Sequence, residues 1–190
     1  MKILCYGDSN TYGYDPRSLI GDRYPAWFRW GDLLAEKLNS QVVNAGENGR
    51  QIPSREGERT RFSRMLTNEK PVDLLIIMLG TNDLLQGNSP EAVAERMEGF
   101  LKCIDLDRAR ILLVAPPPMK RGEWVLSRTL IDASMALNRE YEALSRRMGV
   151  GFVDGGAWGI PMAFDGVHFT EKGHRIFAER LAVWIDCTSR

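Results

Sequence analysis

Val72-Asp73-Leu74-Leu75-Ile76-Ile77-Met78-Leu79, running straight into Gly80-Thr81-Asn82-Asp83, is the stretch whose reading decides the fold. One charge in eight residues leaves no polar face, so the segment reads as a strand covered on both sides, as in parallel sheets. Similar short runs lie along the chain. Ile3 to Tyr6 stops at Gly7, Gln41 to Asn44 is ended by Ala45-Gly46, Ile111 to Ala115 runs into Pro116-Pro117-Pro118, and Val150 to Val153 follows. Helical spacing fills the gaps: Trp30 to Leu38, Pro90 to Ile104, Leu130 to Met148 and Thr170 to Trp184. Ser89 before Pro90 is a helix start, and Thr170 can cap the last helix. The alternation predicts an α/β fold with a five-stranded parallel sheet, helices on both faces, and one domain over residues 1–190.

Four irregular stretches remain, at 13–28, 46–58, 116–127 and 155–167. Most leave strand carboxyl ends, where open parallel sheets place their binding crevice. The bulk numbers agree with a globular domain. Of 190 residues, 44% are hydrophobic and 26% charged, and 25 basic side chains balance 25 acidic ones. That zero net charge argues against nucleic acid as the main partner. A chain of this size buries roughly 70% of its unfolded surface, so it needs no disulfide or metal to hold it. The three cysteines, Cys5, Cys103 and Cys187, form no CxxC motif, and Cys5 and Cys103 read as buried thiols. With no signal-like start and no apolar run near the ~18 residues of a membrane span, the expectation is a cytoplasmic protein.

Chemistry-bearing residues gather at the predicted strand ends. In Gly7-Asp8-Ser9-Asn10 the serine sits where its hydroxyl can stand at the sheet edge; a turn or helix cap is the competing reading. In Asp165-Gly166-Val167-His168 the carboxylate can hold one ring nitrogen while the other takes a proton from a serine; a structural pair competes. Gly46 and Asn82 follow the second and third strands and can supply amide donors to a developing oxyanion, although both also punctuate loops.

Taken together, these blocks resemble the SGNH hydrolases, whose four blocks carry Ser, Gly, Asn and His. The matches are Gly7-Asp8-Ser9-Asn10, Asn44-Ala45-Gly46, Gly80-Thr81-Asn82-Asp83 and Asp165-x-x-His168, in the family's order, across nearly the whole chain. The resemblance implies a flavodoxin-like three-layer sandwich. It makes Ser9 the nucleophile, His168 the general base and then acid, and Asp165 its orienting partner. It also implies an oxyanion hole from the Ser9 amide, the Gly46 amide and the Asn82 side chain, with no cofactor and no metal. One departure is Asn10, where the name-giving motif has leucine. Gly7 to Tyr14 is similar to the arylesterase and acyltransferase branch, which implies a homo-oligomer. The expected reaction is hydrolysis of small carboxylic esters, or transfer of their acyl group, through an acyl-enzyme.

Other readings stay open. A carbohydrate deacetylase, a lysophospholipase or a thioesterase would use the same catalytic residues. A nucleotide-binding module would need GxGxxG or GxxxxGK[ST], and an α/β-hydrolase a GxSxG elbow; none occurs. Tyr12, Trp124 and Trp158 fall in loops that can wall a pocket, with Tyr12 and Trp158 carried as substrate contacts. Arg50 and Arg55 read as members of a solvated loop or of an interface ion pair. His174 is the one further residue that could join Asp165 and His168 around a metal, and the serine-based reading leaves it outside the site.

Overall fold

The computed structural model describes residues 1–18, 20 and 22–188; positions 19 and 21 of the 13–28 loop, and the last two residues, lie outside the described residues. In chain order the elements are β1 (Lys2–Gly7), α1 (Ser9–Tyr12), α2 (Trp30–Leu38), β2 (Gln41–Gly46), α3 (Glu56–Glu69), β3 (Leu74–Met78) and α4 (Thr81–Leu85). There follow α5 (Pro90–Lys102), β4 (Ile111–Ala115), α6 (Arg128–Met148), β5 (Gly151–Asp154) and α7 (Glu171–Thr188).

The five strands form one parallel sheet in the order β2-β1-β3-β4-β5. This is the flavodoxin-like order, whose switch point lies between β1 and β3, because the chain leaves β1 toward one edge and β3 toward the other. The strand period of two sorts the core. Leu4, Tyr6, Leu75, Ile77 and Leu113 point to a layer built by α3, α5 and α6. Ile3, Cys5, Ile76, Leu112 and Val114 point to the opposite layer, where Trp30 and Leu34 of α2 meet Phe177 and Leu181 of α7. Both faces of the central strands are therefore dry, as their unbroken apolar sequence requires. Among the described residues no helix is long and apolar enough to cross a membrane.

The caps follow the sequence. Ser89 Oγ accepts from the Ala92 amide (3.3 Å) at the start of α5, and Thr170 Oγ1 accepts from the Gly173 amide (3.0 Å) at the start of α7. Three helices go beyond the sequence expectation: α1, α3 and α4. Helix α3 carries only Phe62 and Leu66 as fully buried residues on an otherwise polar run. Its entry is closed by the Glu58 carboxylate, which accepts from the Ser54 and Arg55 amides at 2.9 and 3.0 Å. Cys103 departs as well: it is exposed just past α5, while Cys5 is buried. Its neighbours Phe100, Leu101 and Ile104 are buried, and Cys103 faces away from them.

Candidate active site

Ser9 opens α1 directly beyond β1. Asp8 caps this single turn, its Oδ1 accepting from the Asn10 amide at 3.0 Å. Burial pushes the Asp8 carboxyl up to about 6, against the pull of that amide. The first amides of a helix have no partner within it, and the Ser9 amide accordingly has no acceptor among the described residues.

The loop before α7 brings His168 onto this turn. Ser9 Oγ lies 2.8 Å from His168 Nε2, and His168 Nδ1 lies 2.7 Å from Asp165 Oδ2. Asp165 Oδ1 accepts from the Val167 and His168 amides at 2.8 and 3.0 Å, so both carboxylate oxygens are engaged. Burial alone would raise this carboxyl. The hydrogen bond to the His168 ring and the two amides outweigh it and hold the group below its ordinary range. An ionised carboxylate only accepts, which assigns the proton to Nδ1 and leaves the Nε2 lone pair of the neutral ring facing the serine hydroxyl. All three side chains are buried.

Ser9, Asn82 and His168 open on a cavity of about 290 Å³. His168 is held between two aromatic rings, Tyr14 at 4.6 Å and Trp124 at 5.2 Å between centroids. Asn82 reaches the cavity from α4, after β3, and gives one amide hydrogen to the Arg50 carbonyl (3.0 Å). Its second has no acceptor among the described residues. Among the described residues there is no cluster of three metal-ligating side chains. A cleft of about 310 Å³ lies behind, between Arg50, Arg61 and Phe62, and holds neither serine nor histidine.

The structure corrects the expectation for Gly46. Its amide donates to Asn44 Oδ1 at 2.9 Å, and a Cβ there would lie 2.1 Å from the Tyr12 amide nitrogen. Gly46 is glycine because α1 packs on it. The glycine that lines the cavity is Gly49, with φ +73°, open space around it and an amide that donates to no acceptor among the described residues. Two glycines within four residues gave the sequence reading no basis for choosing; the left-handed turn at Asn48-Gly49 was the available signal.

Tyr12 and Trp158 are corrected too, since neither borders the cavity. Tyr12 lies under the Arg23 guanidinium (4.4 Å), and Trp158 packs edge-on against Phe177 (5.2 Å) in the α2–α7 layer. Tyr14 takes their place, and Trp124, named with them as a residue that can wall a pocket, does line the cavity. Arg50 is a strut and not a solvated side chain. Its guanidinium donates to the Gly7 carbonyl (2.8 Å), the Ala45 carbonyl and Glu47 Oε2 (2.6 Å), and lies over the Tyr6 ring. His174 lies off the cavity, its Nδ1 accepting from the Trp30 amide at 3.4 Å and its Nε2 without a partner. Burial lowers its pKa to about 3.

Comparison with known proteins places this geometry in a family. Residues 5–176 match the model of the GDSL-like Lipase/Acylhydrolase family. The aryl esterase of M. smegmatis superposes with a TM-score of 0.84 at 27% identity, covering 98% of each chain. Est24, a carbohydrate acetylesterase from Sinorhizobium meliloti, superposes at 0.85 with 25% identity, covering 98% of this chain and 99% of that one. A curated relative, the isoamyl acetate-hydrolyzing esterase 1 homolog of Mus musculus, is 24% identical over 144 residues. That match takes in 65% of this chain and only half the length of the mouse protein. The chain belongs to the GDSL-like lipase/acylhydrolase family and carries the SGNH fold of its carboxylic ester hydrolases.

Proposed function

We propose that the protein cleaves small carboxylic esters by a two-step acyl transfer centred on Ser9. The observation that carries this reading is the hydrogen-bonded chain from Ser9 through His168 to Asp165, with contacts of 2.8 and 2.7 Å, at the floor of an open cavity. Ser9 Oγ attacks the ester carbonyl as His168 Nε2 takes its proton; Asp165 orients the ring and stabilises the imidazolium. The negative charge that develops on the carbonyl oxygen meets the Ser9 amide, the Gly49 amide and the Asn82 side chain. His168 then protonates the leaving alkoxide. In the second step water, or another alcohol, gives its proton to His168 and attacks the acyl-enzyme, which releases the acid (or the new ester) and restores Ser9.

The cavity supports a small acyl group. Its volume of about 290 Å³ stands at the low end of ligand pockets, which run from ~300 to ~1,000 Å³. That favours short esters over lysophospholipids or long-chain thioesters. A second reading, removal of acetyl groups from a carbohydrate, has its own support: Asn48 brings an amide to the cavity, and the fold matches an acetylesterase of that class. A series of p-nitrophenyl acetate, butyrate and octanoate, with an acetylated sugar alongside, tests both readings on wild type and Ser9→Ala. Turnover highest on acetate and abolished in the variant is expected. Equal rates in the two proteins would remove Ser9 from the chemistry, and a preference for octanoate would remove the small-ester reading.

A further inference from the structure

Asn10, next to the nucleophile, binds the main chain on both sides of His168. Its Nδ2 donates to the Val167 carbonyl at 3.1 Å, and its Oδ1 accepts from the Phe169 amide at 2.9 Å. The side chain is thus paired like a peptide unit across from residue 168. Its own backbone is held just as firmly: the amide donates to Asp8 Oδ1 (3.0 Å), and the carbonyl accepts from Trp30 Nε1 (2.9 Å). Asn10 is 5% exposed, and neither Val167 nor Phe169 has appreciable access to solvent. Removing the side-chain amide would therefore leave a buried carbonyl and a buried amide without these partners.

We propose that Asn10 is a positioning residue that sets the distance between Ser9 and His168. The inference rests on the catalytic reading above. Ser9 and Asn10 are consecutive residues of one helical turn, so any shift of that turn moves nucleophile and clamp together. The clamp grips the residues before and after His168, so the imidazole follows. Without it, the Ser9–His168 hydrogen bond alone, among the hydrogen bonds of the described residues, joins this turn to the loop that carries the base. Asn10 does not border the cavity, so its effect belongs to the chemical step and not to substrate binding.

The test compares Asn10→Ala and Asn10→Leu with wild type on p-nitrophenyl acetate, each also in a His168→Ala background. Asn10→Leu fills the space without either hydrogen bond and serves where the alanine variant does not fold. Displacement of a reacting group by about 1 Å costs on the order of a hundredfold. Each single variant is expected to lose roughly ten- to a hundredfold in kcat with KM within about twofold. In the His168→Ala background the same change is expected to cost nothing more, because Asn10 acts only through that ring. A kcat within twofold of wild type, or an equal loss with and without His168, would overturn the proposal. Ser9→Ala, run alongside, separates the two failures. If it keeps full activity the catalytic reading falls; if it is inactive while Asn10→Leu is fully active, only the positioning role falls.

Discussion

The two halves of the site are built in opposite ways. On the base side the loop carrying Asp165 and His168 is pinned from several directions. The Lys120, Glu123 and Trp124 amides donate to the carbonyls of Gly166, Phe164 and Asp165 at 2.9, 3.0 and 3.1 Å, and Asn10 holds the far side. The two loops approach so closely that a Cβ on Gly122 would lie 2.4 Å from the Asp165 carbonyl carbon. On the side proposed to hold the oxyanion, Asn48 and Gly49 are exposed and no described atom lies within 4 Å of where a Gly49 Cβ would stand. That loop is anchored at its base, by the Arg50 guanidinium and by the Asn82 bond to the Arg50 carbonyl. A base must be held at a fixed tautomer and distance from its nucleophile, which takes many bonds. An amide donor needs only to point at one place, and an open loop leaves room for the substrate.

This contrast can be sharpened by experiment. The largest effect is expected from Asn82→Ala, which removes a side-chain donor: kcat should fall by about a hundred- to a thousandfold, with a loss of Tm no larger than that of one hydrogen bond. A near-normal rate would remove Asn82 from the oxyanion hole. A pair of glycine substitutions then addresses the contrast itself. Gly122→Ala drives a methyl into the Asp165 backbone and should lower kcat by roughly tenfold or more, together with Tm. Gly49→Ala meets open space and only the strain of its left-handed φ, about 1–2 kcal/mol, so its loss of activity should be a few-fold. Equal losses from the two would mean that the halves are equally rigid.

The smallest effect is a pH dependence of stability on the base side, where His174 packs against Phe169 at 5.3 Å. Burial, with the nearby positive charge of Arg29, lowers its pKa from 6.5 to about 3. A depressed histidine gives stability that is complete above the unfolded value and lost as pH falls toward the folded one. Wild type should lose stability relative to His174→Asn by about 1.4 kcal/mol per pH unit between roughly pH 6 and 4. Parallel curves of Tm against pH for the two proteins would mean that His174 titrates normally in the folded state.

The sheet was legible because its central strands β1, β3 and β4 announced themselves by apolar runs suited to a strand dry on both faces, while the half-buried edge strands β2 and β5 were short runs ended by turn residues. Ser9, Asn82, Asp165 and His168 could be singled out because each follows a strand end or lies in a short loop. What escaped depends on contacts between distant segments. Helix α3 hides its two core residues in a polar run. The exchange of Gly46 for Gly49 turns on how α1 packs against β2. Trp124 was among the aromatics named as possible walls, but that it and Tyr14 line the cavity, and Tyr12 and Trp158 do not, is decided only when the loops close around His168. Arg50 reads as polar loop sequence, and only the folded chain shows which carbonyls it binds.

The most direct test of the central claim is covalent. A fluorophosphonate, which mimics the tetrahedral intermediate, should add one phosphonyl group to the wild-type protein, and peptide mass spectrometry should map it to Ser9. His168→Ala should label far more slowly and Ser9→Ala not at all, in step with loss of p-nitrophenyl acetate turnover. A label on another residue, or undiminished turnover by Ser9→Ala, would contradict the account.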